Sequence, residues 1–208
     1  MERDIIDNLI IRYPALFICK AGIDSAFSAL EMCFATDKDL YVCGNGGSAA
    51  DALHIVGELA KPFVLKRKLD NSFAGRVSDV GLLDNLQGAL PAFALVENTS
   101  LSTAFANDYN AEYVFAQQVY AYAREGDCVL GISTSGNSLN VIHAINAAKG
   151  RGAVALGLTG ASGGMMKDLC DVCICVPESE TYKVQELHVP VYHALCMMLE
   201  QRFFGGKL

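Results

Sequence analysis

His54 and Glu58 stand four residues apart in a stretch whose apolar residues recur at helical spacing, so their side chains share one face. A second polar set, Gln185, Glu186, His188 and His193, interrupts another strongly apolar stretch. The chain has 4 histidines, and three of them fall in these two places. A histidine and a glutamate at this spacing can supply two ligands to a tetrahedral zinc ion, and a further histidine with an amide or carboxylate can complete the shell. Alone, the pair reads as a surface ion pair; its position one helical stretch from an anion-type loop favours the ligand reading. His143 reads as an ordinary helix-face histidine.

Three glycine- and hydroxyl-rich segments offer the anion site: Gly44-Asn45-Gly46-Gly47-Ser48, Ser133-Thr134-Ser135-Gly136-Asn137-Ser138, and Thr159-Gly160-Ala161-Ser162-Gly163-Gly164. Glycine lets backbone approach a ligand, and helix N-termini present free N–H groups. The second segment carries four hydroxyls in six residues, more than N-capping alone requires. No lysine occurs in any of them and the pattern GxGxxG is absent, which argues against nucleoside triphosphates and dinucleotides. A phosphate held by hydroxyls and amides suits a phosphorylated metabolite.

The elements that must position these residues alternate. Apolar periodicity predicts helices over 4–36, with a break near Pro14, and over 49–59, 100–106, 111–123, 139–149 and 181–204. Short apolar runs at 40–43, 92–96, 127–132, 153–158 and 172–176 read as strands buried on both faces. This alternation predicts an α/β, doubly wound parallel sheet in a single domain over residues 1–208. Each of the three loops follows a strand, where open parallel sheets bind ligands. Residues 61–91 lose periodicity and read as a lid-like excursion or a mobile loop.

Composition sets the outer limits. At 208 residues, 52% hydrophobic and 19% charged, the chain can bury a core, which excludes a disordered protein. No apolar run reaches the length of a membrane span, and Met1-Glu2-Arg3-Asp4 does not open a signal peptide, so a cytoplasmic protein is expected. A net charge of −7 argues against direct nucleic-acid binding. The basic cluster Lys61, Lys66, Arg67 and Lys68 reads as a solvated loop. The 8 cysteines fall mainly in apolar runs and read as buried thiols; Cys170 and Cys173 have the spacing of a redox or zinc pair but straddle a strand start.

Cys43-Gly44-Asn45-Gly46-Gly47-Ser48-Ala49-Ala50-Asp51-Ala52-Leu53-His54, Gly131-Ile132-Ser133-Thr134-Ser135-Gly136-Asn137-Ser138 and Gln185-Glu186-Leu187-His188, in this order, resemble the sugar isomerase (SIS) family. Within it they resemble the branch that acts on sedoheptulose 7-phosphate. The resemblance implies a flavodoxin-like five-stranded parallel sheet, a homotetramer with active sites at subunit boundaries, and a zinc ion. It implies substrate contacts at Asn45, Gly46, Gly47, Ser48, Glu58, Asn107, Asp108 and Gln185, with the phosphate on Ser133, Thr134, Ser135 and Ser138. Its metal positions fall on His54, Glu58, Gln185 and His193, with Glu58 as base and His193 as acid in forming D-glycero-D-manno-heptose 7-phosphate through a cis-enediol. A regular helix sets Gln185 and His193 about 12 Å apart along its axis, so joint ligation needs long reach, a kink at Pro190, or two subunits. Tyr182 and the long 61–91 segment depart from the family pattern. A non-catalytic sugar-phosphate sensor or replication-initiator adaptor of the same fold, and an isomerase of another sugar phosphate, are the alternatives.

Overall fold

A computed structural model describes residues 2–69 and 71–206. The chain opens with α1 (Glu2–Arg12), a 3-10 turn at Pro14–Cys19, and α2 (Lys20–Ala35). It continues through β1 (Leu40–Gly44), α3 (Gly47–Ala60), the short α4 (Asn71–Ala74) and α5 (Val80–Asn85), β2 (Ala92–Ala94) and α6 (Thr99–Phe105). A π-turn at Ala106–Asn110 leads to α7 (Val114–Tyr122), β3 (Cys128–Ser133), α8 (Leu139–Gly150), β4 (Val154–Thr159), α9 (Met166–Leu169), β5 (Val172–Cys175) and α10 (Thr181–Phe204). Pro14 breaks the first helical stretch as expected, because proline lacks the N–H a helix interior needs.

The five strands are all parallel, in the order β2-β1-β3-β4-β5. Strand side chains alternate between two cores. Leu40, Val42, Leu130, Ile132, Leu156, Leu158 and Ile174 face α1, α2, α3 and α10, whereas Tyr41, Cys43 and Val129 face α7 and α8. In α2 the buried Ile23, Ala26, Leu30, Cys33 and Phe34 recur every three or four residues, one stripe against the sheet. Burying a leucine such as Leu30 contributes about 1.5–3 kcal/mol. α10 differs: from Pro190 to Glu200 it is buried on nearly all sides, so it threads the core, with His188 and Glu200 buried and Glu186 exposed. Pro190 lies inside it without ending it.

This strand order reverses direction between β1 and β3, the crevice where doubly wound sheets take ligands. The loops after these two strands flank it. The 61–91 segment is an excursion with an anchored stem: the Gly88 N–H donates to the Arg67 carbonyl at 3.2 Å. Arg67 corrects the solvated-loop reading of the basic cluster. Its side chain is fully buried, pairing with Glu200 at 2.8 Å, while Lys61 stays exposed.

Candidate active site

The first wall of the site is the turn after β1. Gly44 abuts the start of α3 so closely that a Cβ there would lie 2.6 Å from the Ser48 carbonyl oxygen, and Gly46 takes φ +55°. Only glycine serves both needs. No side chain caps the α3 N-terminus, where the Ser48 N–H donates to the Asn45 carbonyl and the Ala49 and Ala50 N–H groups to the Gly46 carbonyl, and the positive end of the helix faces the turn. The opposite wall follows β3. The Ser133 and Ser138 hydroxyls lie 2.9 Å apart, and Ser138 starts α8 without using its side chain as a cap. Capping therefore does not account for that hydroxyl. Asn45 and Asn140 join the walls through two reciprocal amide bonds of 2.9 Å.

Between these walls is a cavity of about 320 Å³, lined by residues 45–48, by Ser133, Thr134 and Ser138, and by Thr181 and Gln185 of α10. Gln185 lies directly over Gly47, where a Cβ would meet its amide nitrogen. Ser135 is not among the lining residues; its hydroxyl accepts from the Asn137 N–H at 3.2 Å. The third glycine loop also serves a different purpose. Gly136, Gly163 and Gly164 have positive φ and pack backbone to backbone, a Cβ on Gly136 lying 2.0 Å from the Gly163 carbonyl oxygen. That loop buttresses the serine turn.

α3 and α10 run side by side in the same direction, Gly47 beside Gln185 and His54 beside Tyr192 and His193. Further along this pair the polar residues converge. His54 Nε2 is 3.3 Å from Glu58 Oε1 and 3.4 Å from His193 Nε2. His54 Nδ1 lies 2.9 Å from the Tyr192 hydroxyl, which donates to Asp51 Oδ1 at 3.3 Å. Phe63 rests on the His193 ring at 5.4 Å. Burial raises the Asp51 carboxyl, opposed by the Tyr192 hydrogen bond, and burial with the nearby Asp51 charge raises the Tyr192 phenol. Burial first, then the neighbouring His54, lowers His193.

The donor set fits a divalent cation. Tyr192 has one hydroxyl hydrogen and gives it to Asp51, so His54 donates from Nδ1 to the phenol oxygen, and the neutral ring then holds a lone pair at Nε2. That lone pair faces a carboxylate oxygen and a second imidazole nitrogen, a contact that calls for positive charge. Glu58 Oε2 is buried and accepts no hydrogen bond, its nearest cation being Lys61 at 3.6 Å. Among the described residues no three His, Cys, Asp or Glu side chains are gathered as a formed shell, so loading requires side-chain rotation. His54, with a side chain 43% exposed, has room for it.

Other expected residues lie elsewhere. Gln185 stands with the phosphate-type turn, not beside His54. Asn107 and Asp108 are exposed in the π-turn, bonded to each other at 2.8 Å, and do not line the cavity. His188 is fully buried with neither ring nitrogen hydrogen-bonded, and burial pushes it down to about 4. His143 stacks under Tyr113 at 4.0 Å. Tyr182 is exposed at the start of α10. Sequence reasoning missed Asp51, Tyr192, Phe63 and Asn140; Asp51 precedes His54 by one helical turn, a spacing that could have drawn it in.

Comparison with known proteins follows the same lines. Residues 100–201 match the SIS domain family. The chain is 41% identical over 182 residues to a phosphoheptose isomerase of Aneurinibacillus thermoaerophilus, covering 88% of this chain and 81% of that one. It is 45% identical over 166 residues to a phosphoheptose isomerase of a Nitratiruptor species, covering 80% and 78%. The fold superposes on phosphoheptose isomerase GmhA from Neisseria gonorrhoeae with a TM-score of 0.74 at 35% identity, covering 93% of this chain and 94% of that one. By sequence and by fold, the chain belongs to the phosphoheptose isomerase family of SIS-domain proteins.

Proposed function

We propose that this protein isomerises sedoheptulose 7-phosphate to D-glycero-D-manno-heptose 7-phosphate in the cytoplasm. The observation that carries the reading is the spacing of an anion turn and a proton-transfer cluster along one pair of helices. Seven residues of α3 separate Gly47 from His54, about 10.5 Å of helix. An open-chain heptose 7-phosphate has eight bonds from C1 to phosphorus, spanning about 9–10 Å at roughly 1.2 Å per bond. A pentose 5-phosphate, two bonds shorter, reaches only about 7 Å. With its phosphate on Ser133, Thr134, Ser138 and the α3 N-terminus, the seven-carbon sugar brings C1 and C2 level with His54, whose Nε2 is 3.3 Å from Glu58 Oε1 and 3.4 Å from His193 Nε2.

Glu58 removes a proton from C1 while His193 delivers one to the C2 carbonyl oxygen, giving the cis-enediol. Glu58 then returns its proton to C2 as His193 takes one from O1, leaving the aldehyde. His54, Glu58 and His193 would hold a zinc ion, and the ion would supply Lewis-acid polarisation of O1 and O2. Glu58 has an oxygen for each role: Oε1 faces His54, and Oε2 accepts no hydrogen bond and lies 3.6 Å from the Lys61 ammonium. Assembly as a homotetramer would give the exposed Asn107 and Asp108 a neighbouring subunit's site to complete, and would cover the exposed Ile11, Phe17, Ile18 and Met32. No described helix is long and apolar enough to cross a membrane. Incubation with ketose phosphates of five, six and seven carbons, with and without a chelator, followed by NMR of the products, tests the reading. Heptose product that a chelator abolishes is expected; turnover of shorter sugars alone overturns it.

A further inference from the structure

Glu200 is a carboxylate buried in the core side of α10, and it is fully occupied. Its Oε1 accepts from the Phe63 N–H at 2.8 Å and from Arg67 Nε at 2.8 Å. Its Oε2 accepts from the Val64 N–H at 2.8 Å and the Leu65 N–H at 3.0 Å. Burial alone would raise this carboxyl, but the three N–H groups and the guanidinium outweigh it and hold it below the usual carboxylate range. Arg67 is equally committed. Its Nη1 donates to the Leu59 carbonyl at 2.5 Å and its Nη2 to the Glu58 carbonyl at 2.7 Å, while its guanidinium lies 4.9 Å from the Phe204 ring centre.

These contacts reach the catalytic cluster from two sides. The last carbonyls of a helix have no partner within it, and Arg67 satisfies two of them in the turn that carries Glu58. The N–H groups gathered by Glu200 begin at Phe63, whose ring lies on His193. A buried ion pair is a poor source of net stability compared with apolar packing, which argues for another use here. We propose that Arg67 and Glu200 are positioning residues: a buried clasp that fixes the main chain at Glu58 and seats Phe63 against His193, holding base and acid in register. The proposal rests on the isomerase reading for its effect on rate, but the geometry it asserts can be measured separately.

Arg67→Lys keeps the charge and loses the fork that spans three acceptors. Small misplacements of reacting groups are costly, so kcat is expected to fall at least about tenfold. KM, set mainly at the phosphate turn, should stay within about twofold. In parallel, the ring-proton resonances of His193, shifted in the native protein by the Phe63 ring, should move in Arg67→Lys toward their positions in Phe63→Leu. Phe63→Leu leaves the clasp intact and should lower kcat several-fold without lowering the melting temperature appreciably. A folded Arg67→Lys protein with native kcat and native His193 resonances overturns the proposal, as does a lower melting temperature with unchanged kcat. Should Arg67→Lys fail to fold, Phe63→Leu decides: unchanged kcat and unmoved His193 resonances overturn it. If the native enzyme turns over no ketose phosphate, the isomerase reading fails, and the resonances still decide whether the clasp seats Phe63.

Discussion

His54 and Tyr192 meet at 2.9 Å through Nδ1 and the phenol, and that contact sets which face of the imidazole is free. Tyr192→Phe removes the group that fixes the tautomer. Loss of such a supporting hydrogen bond typically costs about 10–100-fold in metal affinity or activity. Zinc titration against a competing chelator and kcat should both register it; native values in both would remove Tyr192 from the site.

Glu58→Gln retains shape and removes the base. Turnover should drop by at least about 10²–10⁴-fold. Inorganic phosphate should bind with native affinity by calorimetry, because the turn that holds it lies ten residues or more away along α3. Retained turnover would take Glu58 out of the mechanism.

His188 links stability to pH. Its folded pKa is about 4 against an ordinary 6.5, so the unfolded chain binds the extra proton between these values. Stability from this group is therefore complete above pH 6.5 and falls as pH drops, the loss reaching about 3 kcal/mol near pH 4. Both ring nitrogens lack partners, so His188→Leu should flatten the stability profile over this window in urea melts. An unchanged slope would show that other groups set it.

Gly136→Ala places a methyl group 2.0 Å from the Gly163 carbonyl oxygen at φ +67°. The strained backbone alone costs about 1–3 kcal/mol, and the clash adds to it. Denaturant melts should show a loss at least that large, together with weaker phosphate binding. Native stability would mean the two glycine turns do not buttress each other.

Much of this could be read from residue order. Buried parallel strands are runs of Val, Leu and Ile wherever they occur, so the five strands and the long α10 are visible in local pattern, with ends shifted by a residue or two. The turn after β1 and the serine turn are legible because glycine and hydroxyl groups have few other reasons to cluster. What was hidden depends on partners distant in sequence. Arg67 looks like one charge in a basic run until Glu200 is found beneath it, 133 residues on. Tyr192 is an ordinary helix tyrosine until α3 lies alongside and presents Asp51 and His54. Gln185 shares a helix with His193, yet helical rise carries it two turns away to the anion turn.

The central claim is that Glu58 and His193 move a proton between C1 and C2 of a seven-carbon ketose phosphate. Incubating the zinc-loaded protein with sedoheptulose 7-phosphate in D₂O and following the product by NMR tests this most directly. An aldose H1 signal with protium carried from C1 at C2, both absent in Glu58→Gln, is the expected result. A protein that binds the sugar phosphate yet forms no aldose, or a Glu58→Gln variant that forms it at the native rate, would contradict the account.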